Sequence, residues 1–214
     1  EGWASTGWFS DGHVLTEQQL CAAGPSIQQI AMDASCLFLW CTNSGIPMAL
    51  RVMEAWGFTY KTDYVWVLST KNGGVHGRLP GYWSYSAHET LLFGTRGKFK
   101  RDGAAAPFKS VFMEPFVRGS GYKPPSIYKQ IADYYAGPYL EIFAADRKPG
   151  WFGYGNQLPG GSDISIPEWD STTQACLAGD HEACSDPECD CDCHKIAEAL
   201  DEPFQSGAAN PNNR

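Results

Sequence analysis

Five cysteines and two histidines crowd one short stretch of the chain: Cys176, His181, Cys184, Cys189, Cys191, Cys193 and His194. Thiolates and imidazoles at that density suit zinc, which takes four such ligands. The spacing is not the paired Cys-x-x-Cys of a standard finger. The alternating Cys189, Cys191 and Cys193 can still bring several sulfurs to one ion if the chain curls. The surroundings are acidic: residues 163–214 hold 12 Asp/Glu and only 2 Lys/Arg. A disordered acidic tail with free thiols accounts for the same residues, and both readings stand. No secretory signal opens the chain, which puts metal ahead of disulfides and the protein in the cytoplasm.

A second set of residues points to phosphate. Between residues 94 and 129 lie Arg96, Lys98, Lys100, Arg101, Lys109, Arg118, Lys123 and Lys129, against Asp102 and Glu114 alone. Such a stretch can meet a nucleic-acid backbone, with Lys98, Lys100 and Arg101 at its centre; an ordinary soluble loop is the plainer reading. Just upstream, Tyr82, Trp83 and Tyr85 offer faces on which a base can stack, or simple packing. Residues 1–162 carry 14 basic and 12 acidic side chains, so the net charge of −8 belongs to the tail. An acidic tail repels phosphate, and the near-neutral body is the part able to bind it.

These residues need a scaffold, and the hydrophobic pattern describes one. The run Cys36-Leu-Phe-Leu-Trp-Cys41 is far shorter than the ~20 residues a bilayer span requires, and Ala34–Cys41 reads as a strand buried on both faces. Thr16 starts a helix that Gly24-Pro25 breaks. Thr42-Asn43-Ser44 offers caps for a helix carrying Ala49, Val52, Met53 and Trp56 at helical spacing, with Gly57 as the stop. Strands are expected over Phe58–Leu68, Thr90–Gly94, Val111–Pro115 and Tyr139–Ala144, and a helix from Pro124-Pro125. Strands alternating with helices predict an α/β sandwich with a mostly parallel sheet, whose ligands bind beyond the carboxyl ends of the strands. The body is expected over residues 1–160 and the tail over 161–214.

Several segments, in order, resemble the MT-A family of N6-adenine methyltransferases, and the bacterial and phage members in particular. They are Leu37-Phe-Leu-Trp-Cys-Thr-Asn43, Glu54-Ala-Trp-Gly-Phe-Thr-Tyr-Lys61, Tyr64-Val-Trp-Val67, Gly81-Tyr-Trp83 to His88-Glu89, Gly94-Thr-Arg-Gly-Lys98, Lys123-Pro124, Glu141-Ile-Phe-Ala144 and Gly155-Asn-Gln157. The resemblance implies a Rossmann-like fold, S-adenosylmethionine as cofactor and nucleic acid as substrate, DNA ahead of RNA, with a protein partner subunit also in view. It implies that Lys123, before a helix, meets the cofactor's carboxylate, a role that its amine and the helix dipole support together. Asn156 and Gln157 match the pair that holds the ribose hydroxyls. Glu141 and Phe143 match the adenosine pocket. Glu89 matches an acidic residue near the acceptor nucleoside, which Tyr82 and Trp83 would help to hold. The family's basic residue two positions after the Phe is here Ala145, with Arg147 a little later.

The family's chemistry rests on an Asp-Pro-Pro-Trp motif at a strand end. The adenine amine is a poor nucleophile, because its lone pair is delocalised into the ring. A carboxylate and a carbonyl must accept its hydrogens while an aromatic ring holds the base. This chain has one Pro-Pro pair, Pro124-Pro125, preceded by Lys and followed by Ser, so no catalytic residue is assigned. Two expectations follow. Either the motif and its strand lie upstream of Glu1, which the absent initiator methionine favours, or the chain is a non-catalytic partner subunit. In both cases the chain alone is expected to be inactive.

Overall fold

A computed structural model describes residues 8–10, 13–76, 83–100, 109–117, 123–155 and 157–166. The first residues form an antiparallel hairpin of β1 (Trp8–Ser10) and β2 (His13–Leu15), where the sequence shows no period. Thr16 then caps α1 (Glu17–Ala22) through a reciprocal capping box with Gln19. The expected break separates it from α2 (Gly24–Ile30), with Pro25 in its first turn.

The edge strand β3 (Ser35–Cys41) leads through a short 3₁₀ turn into α3 (Ile46–Ala55). Neither Thr42 nor Ser44 caps a helix as expected. Their hydroxyls lie 3.5 Å from each other, and the residue before α3 is Gly45, which has no side chain to offer. Ala49, Val52, Met53 and Trp56 are buried as their spacing predicts. Gly57, at φ +84°, turns the chain out of the helix in a conformation that side-chain-bearing residues avoid. The remaining elements are β4 (Thr59–Ser69), β5 (His88–Arg96), β6 (Val111–Pro115), α4 (Pro125–Tyr134), β7 (Tyr139–Ile142) and β8 (Trp151–Tyr154).

The sheet corrects one expectation. Its order is β3-β5-β4-β6, with β3/β5 and β4/β5 antiparallel and only β4/β6 parallel. The reason lies in the connection after β4. A turn at Thr70–Gly74 starts the return, and an antiparallel neighbour needs no crossover helix. β7 and β8 form a separate parallel pair.

The core has two layers, one on each side of β3. Leu37, Leu39 and Cys41 face the cluster built by α1–α3, where Trp56 donates its indole N–H to the Leu20 carbonyl at 2.7 Å. Cys36, Phe38 and Trp40 face the other cluster, which Ile127 and Ile131 of α4 close. Helices on both faces of a mixed sheet make the three-layer α/β arrangement. The body passes the expected boundary at 160. Ile166 is fully buried in the α1–α3 layer, and Asp163 accepts from the Gly153 amide at 2.8 Å. Among the described residues no helix is long and apolar enough to cross a membrane.

Candidate functional site

The carboxyl end of β3 is where two of the expected site residues meet. Register places Cys41 opposite Thr90 of β5, so Glu89 sits at that end. Lys123, just before α4, forms a salt bridge with Glu89, and both side chains are largely buried, at 24% and 17% exposed. The ammonium also lies 5.0 Å from the ring centroid of Trp40. This is a cation held by a carboxylate and an aromatic face at the start of a ten-residue helix, whose dipole favours anions there although Pro124 and Pro125 bring no N–H. One turn in, Ser126 donates to the Glu114 carboxylate of β6, and so ties the helix start to the sheet.

Glu141 and Phe143 lie across a cavity of about 240 Å³ from β3. The Glu141 carboxylate is already engaged. It accepts from the Tyr128 hydroxyl at 2.5 Å and from Lys148 at 2.7 Å, and Lys148 also bonds Asp146 and lies 4.4 Å from the Tyr128 ring centroid. Burial, then the Glu141 charge, pushes the Tyr128 phenol up, so it stays a neutral donor. Burial works against the Lys148 ammonium, but the bonds to Asp146 and Glu141 outweigh it and its pKa is raised. Phe143 follows β7 with φ +64°, alone among the described non-glycine residues in having positive φ. A bulky side chain there costs about 1–2 kcal/mol, and such strain gathers at functional sites. The next turn is equally tight: a Cβ on Gly155 would stand 2.4 Å from the Ala144 carbonyl oxygen.

Two of the other expected residues, Lys98 and Lys100, are not brought to this rim. Lys98 and Lys100 follow the far end of β5, beyond Arg96, which pairs with Ser35 at the start of β3. The strand carries the chain seven residues past Glu89 before it ends at Arg96, roughly 23 Å. Trp83 is 93% exposed, and Gln157 is exposed in the turn after β8. Tyr82, Arg101, Asn156 and the whole Cys176–His194 cluster fall outside the described residues. Among the described residues no group of His, Cys, Asp and Glu can hold a metal ion.

Two residues gain a place that their sequence signal did not suggest. Trp40 belongs to a run whose pattern predicts only strand core, yet its ring faces the Lys123 ammonium. Lys148, not Arg147, is the base that reaches back to Glu141. Arg147 instead bonds Asp163 and the carbonyls of Pro159 and Gly161. One residue's difference in a turn decides which cation faces the cavity, and no periodicity encodes it.

Can this rim take a sulfonium donor with an amino-acid end? Lys123 and the α4 start fit its carboxylate, and the apolar cavity beside Phe143 fits its base. Glu141 accepts one bond on each oxygen, from Tyr128 and from Lys148, and keeps acceptor capacity for a ribose hydroxyl. Residues 14–157 match a family model described as MT-A70. The Type II methyltransferase M.MunI of a Mycoplasma species is 28% identical over 144 residues, covering 66% of this chain and 58% of that protein. The human N(6)-adenosine-methyltransferase catalytic subunit METTL3 is 26% identical over 136 residues, 61% of this chain and 23% of its own length. The Drosophila melanogaster non-catalytic subunit METTL14 is 29% identical over 144 residues, 62% of this chain and 36% of its own length. The chain therefore spans less than two thirds of each of these relatives.

Proposed function

The chain belongs to the MT-A70 family, and from that premise we propose that it forms the donor-binding body of an S-adenosylmethionine-dependent N6-adenine methyltransferase acting on nucleic acid. The observation that carries the reading is the half-buried Lys123–Glu89 pair over Trp40, at the start of α4 and the carboxyl end of β3. S-adenosylmethionine supplies, when bound, a methyl group activated as a sulfonium. Lys123 and the positive end of the α4 dipole hold its carboxylate. Phe143 and the β7 end line the adenosine part, with Lys148 keeping Glu141 oriented, and Asn156 with Gln157 takes the ribose hydroxyls. Glu89 bridges from Lys123 toward the acceptor nucleoside, where a carboxylate can accept a hydrogen bond from base or sugar.

DNA comes ahead of RNA as the substrate to test, with Trp83 and Tyr82 as stacking faces and Lys98 and Lys100, beyond the far end of β5, together with Arg101 as backbone contacts. The Cys176–His194 cluster remains a zinc proposal, decided by metal analysis of the chain with and without residues 172–214. The second reading is a non-catalytic partner subunit. What favours it is the likeness to a relative named non-catalytic. Calorimetry of the purified chain with S-adenosylmethionine and its demethylated product tests the donor site. Binding that Lys123→Met weakens supports the proposal; absence of heat and an unmoved melting point refute it. Donor binding without methyl transfer to any adenine-containing DNA or RNA, even once a motif-bearing strand is supplied, would favour the partner subunit.

A further inference from the structure

A row of aromatic side chains runs along the carboxyl rim of the sheet, away from the Lys123–Glu89 pair. Trp40, beneath the Lys123 ammonium, meets Trp66 edge-on at 6.0 Å; Trp66 lies 6.3 Å from Phe116, and Phe116 lies 5.4 Å from His76. The backbone explains why they converge. Register sets Trp66 opposite Glu89. Two residues on, the Leu68 N–H donates to the Ala87 carbonyl at 2.8 Å, and the Leu68 carbonyl accepts from the His76 N–H at 2.7 Å. The tight turn at Thr70–Gly74 therefore delivers His76 to the end of the sheet where β5 begins. Phe116 comes from the opposite flank, its N–H donating to the Ser69 carbonyl at 3.0 Å. Trp66 is fully buried and forms the floor, whereas Phe116 and His76 are only half-buried.

His76 is the unsatisfied member of the row. Its Nδ1 is sealed from water and has no hydrogen-bond partner, alone among the side-chain nitrogens and oxygens of the described residues. A buried polar atom without a partner costs free energy and asks for an explanation. A proton on that nitrogen would be an orphaned donor, which is worse than a lone pair left unused. The neutral ring therefore carries its proton on Nε2, which is not sealed, and presents one N–H donor beside Phe116. Two carboxylates line the same row: Glu89, paired with Lys123, and Glu114, which accepts from Ser126. Negative charge on both turns phosphates away and leaves the row to bases. Neighbouring rings stand 5.4–6.3 Å apart. That exceeds the roughly 3.4 Å rise between stacked bases, so a strand following the row is splayed, as a strand with an extruded target base is.

We propose that Phe116 and His76 form a subsite for the nucleotide next to the target adenine, with Phe116 packing against its base and the His76 Nε2–H donating to an acceptor on the base edge. The subsite rests on the acceptor side of the proposed function, which puts the target adenine at Glu89. A lone donor discriminates among bases. Guanine offers N7 and O6 and thymine offers O4, whereas cytosine turns its own N4 donor to the same edge. The flanking base is therefore guanine or thymine in preference to cytosine, and His76 is the residue that makes the choice.

The test is fluorescence anisotropy of the 214-residue chain with labelled single-stranded DNA octamers that hold one adenine and differ only in the base on either side of it. Guanine or thymine on one side should bind about three- to tenfold tighter than cytosine there, the worth of one hydrogen bond. His76→Phe keeps a ring against Phe116 and removes the donor, so it should erase that preference while the cytosine octamer binds as before. A urea melt checks that the variant folds, and His76→Ala gives the same readout if Phe is not tolerated. Equal binding of all octamers by the parent chain, an unchanged preference in His76→Phe, or uniform weakening across all octamers overturns the proposal, the last because it makes His76 a brace for the turn. Absence of binding to any octamer overturns it as well. Calorimetry with S-adenosylhomocysteine runs in parallel. A flank preference without donor heat keeps the subsite and ends the donor reading; donor heat without a flank preference does the reverse.

Discussion

Lys123 serves two masters in the proposed site, and that makes its effect measurable in opposite directions. Its ammonium is held by Glu89, with the two side chains 24% and 17% exposed. A bound carboxylate must share that ammonium. A hydrogen bond to a charged group is worth about 1.5–3 kcal/mol, so Lys123→Met should weaken S-adenosylmethionine binding roughly 10- to 100-fold. It should also cost about 1–3 kcal/mol of stability, because Glu89 is left half-buried without its partner. Glu89→Gln removes a competing charge. Two unit charges about 3 Å apart at an effective dielectric of about 20 interact by about 5 kcal/mol before screening, and only a fraction survives at a site open to water. Donor binding should therefore tighten about three- to tenfold in Glu89→Gln. Lys123→Arg, which keeps the charge, should stay within about threefold of the parent chain by the same reasoning. Calorimetry gives the affinities, and a urea melt of each variant confirms folding. If Glu89→Gln weakens the donor as much as Lys123→Met does, the pair is a brace for α4 and not a carboxylate receptor.

Gly155→Ala should destabilise the chain by about 1–3 kcal/mol, because the added Cβ meets the Ala144 carbonyl oxygen at 2.4 Å; a chemical-denaturation midpoint unchanged from the parent would contradict the packing described. Trp56→Phe deletes the indole donor to the Leu20 carbonyl and should cost a similar ~1–3 kcal/mol, read from the same melts. Burial pushes the thiols of both Cys36 and Cys41 up to about 12, with Glu89 and Asp63 adding to the effect at Cys41. Both should resist alkylation at pH 8 until the chain unfolds, and peptide mapping that finds either one labelled early would show that β3 opens. The Arg147 hydrogen bond, then the Gly153 amide, holds the Asp163 carboxyl below its ordinary range. Its contribution is present above the unfolded pKa of about 3.9 and is lost as the pH falls through the lower folded value. Asp163→Asn should therefore flatten the acid limb of stability below about pH 4 and leave the neutral region's pH dependence unchanged.

Much of the scaffold was legible because it depends on local chemistry. Thr16 with Gln19, the Gly24-Pro25 break, the spacing of Ala49, Val52, Met53 and Trp56, and the Gly57 stop each act within one turn of chain, and each appears where the residues predict it. β8 was missed because Trp151–Tyr154 is four residues long and contains a glycine. The hairpin at Trp8–Leu15 was missed because three-residue strands carry no period. The Lys123–Glu89 contact joins residues 34 apart in sequence; the resemblance named both residues but for different ligands, and only the turn of β5 toward α4 makes them partners. Likewise Arg147 and Lys148 are chemically alike, and the turn after Phe143 sorts them, sending one outward to the Gly160 loop and the other inward to Glu141.

The expectation of a mostly parallel sheet deserves a closer physical reading, because its failure is uneven. It rested on Cys36–Cys41, whose residues are apolar on both faces, and a two-faced strand is the mark of a strand with neighbours on both sides and layers above and below. The layers are there: Leu37 and Leu39 meet α1–α3, while Phe38 and Trp40 meet α4. One neighbour, β5, is there too. Among the described residues the other edge of β3 faces the cavity, so a strand whose side chains suit full burial stays half-buried everywhere except at Leu39. Composition registers which faces of a strand are covered, whereas the direction of its neighbour is set by the connection between them, which is why the layers were legible and the antiparallel pairing was not.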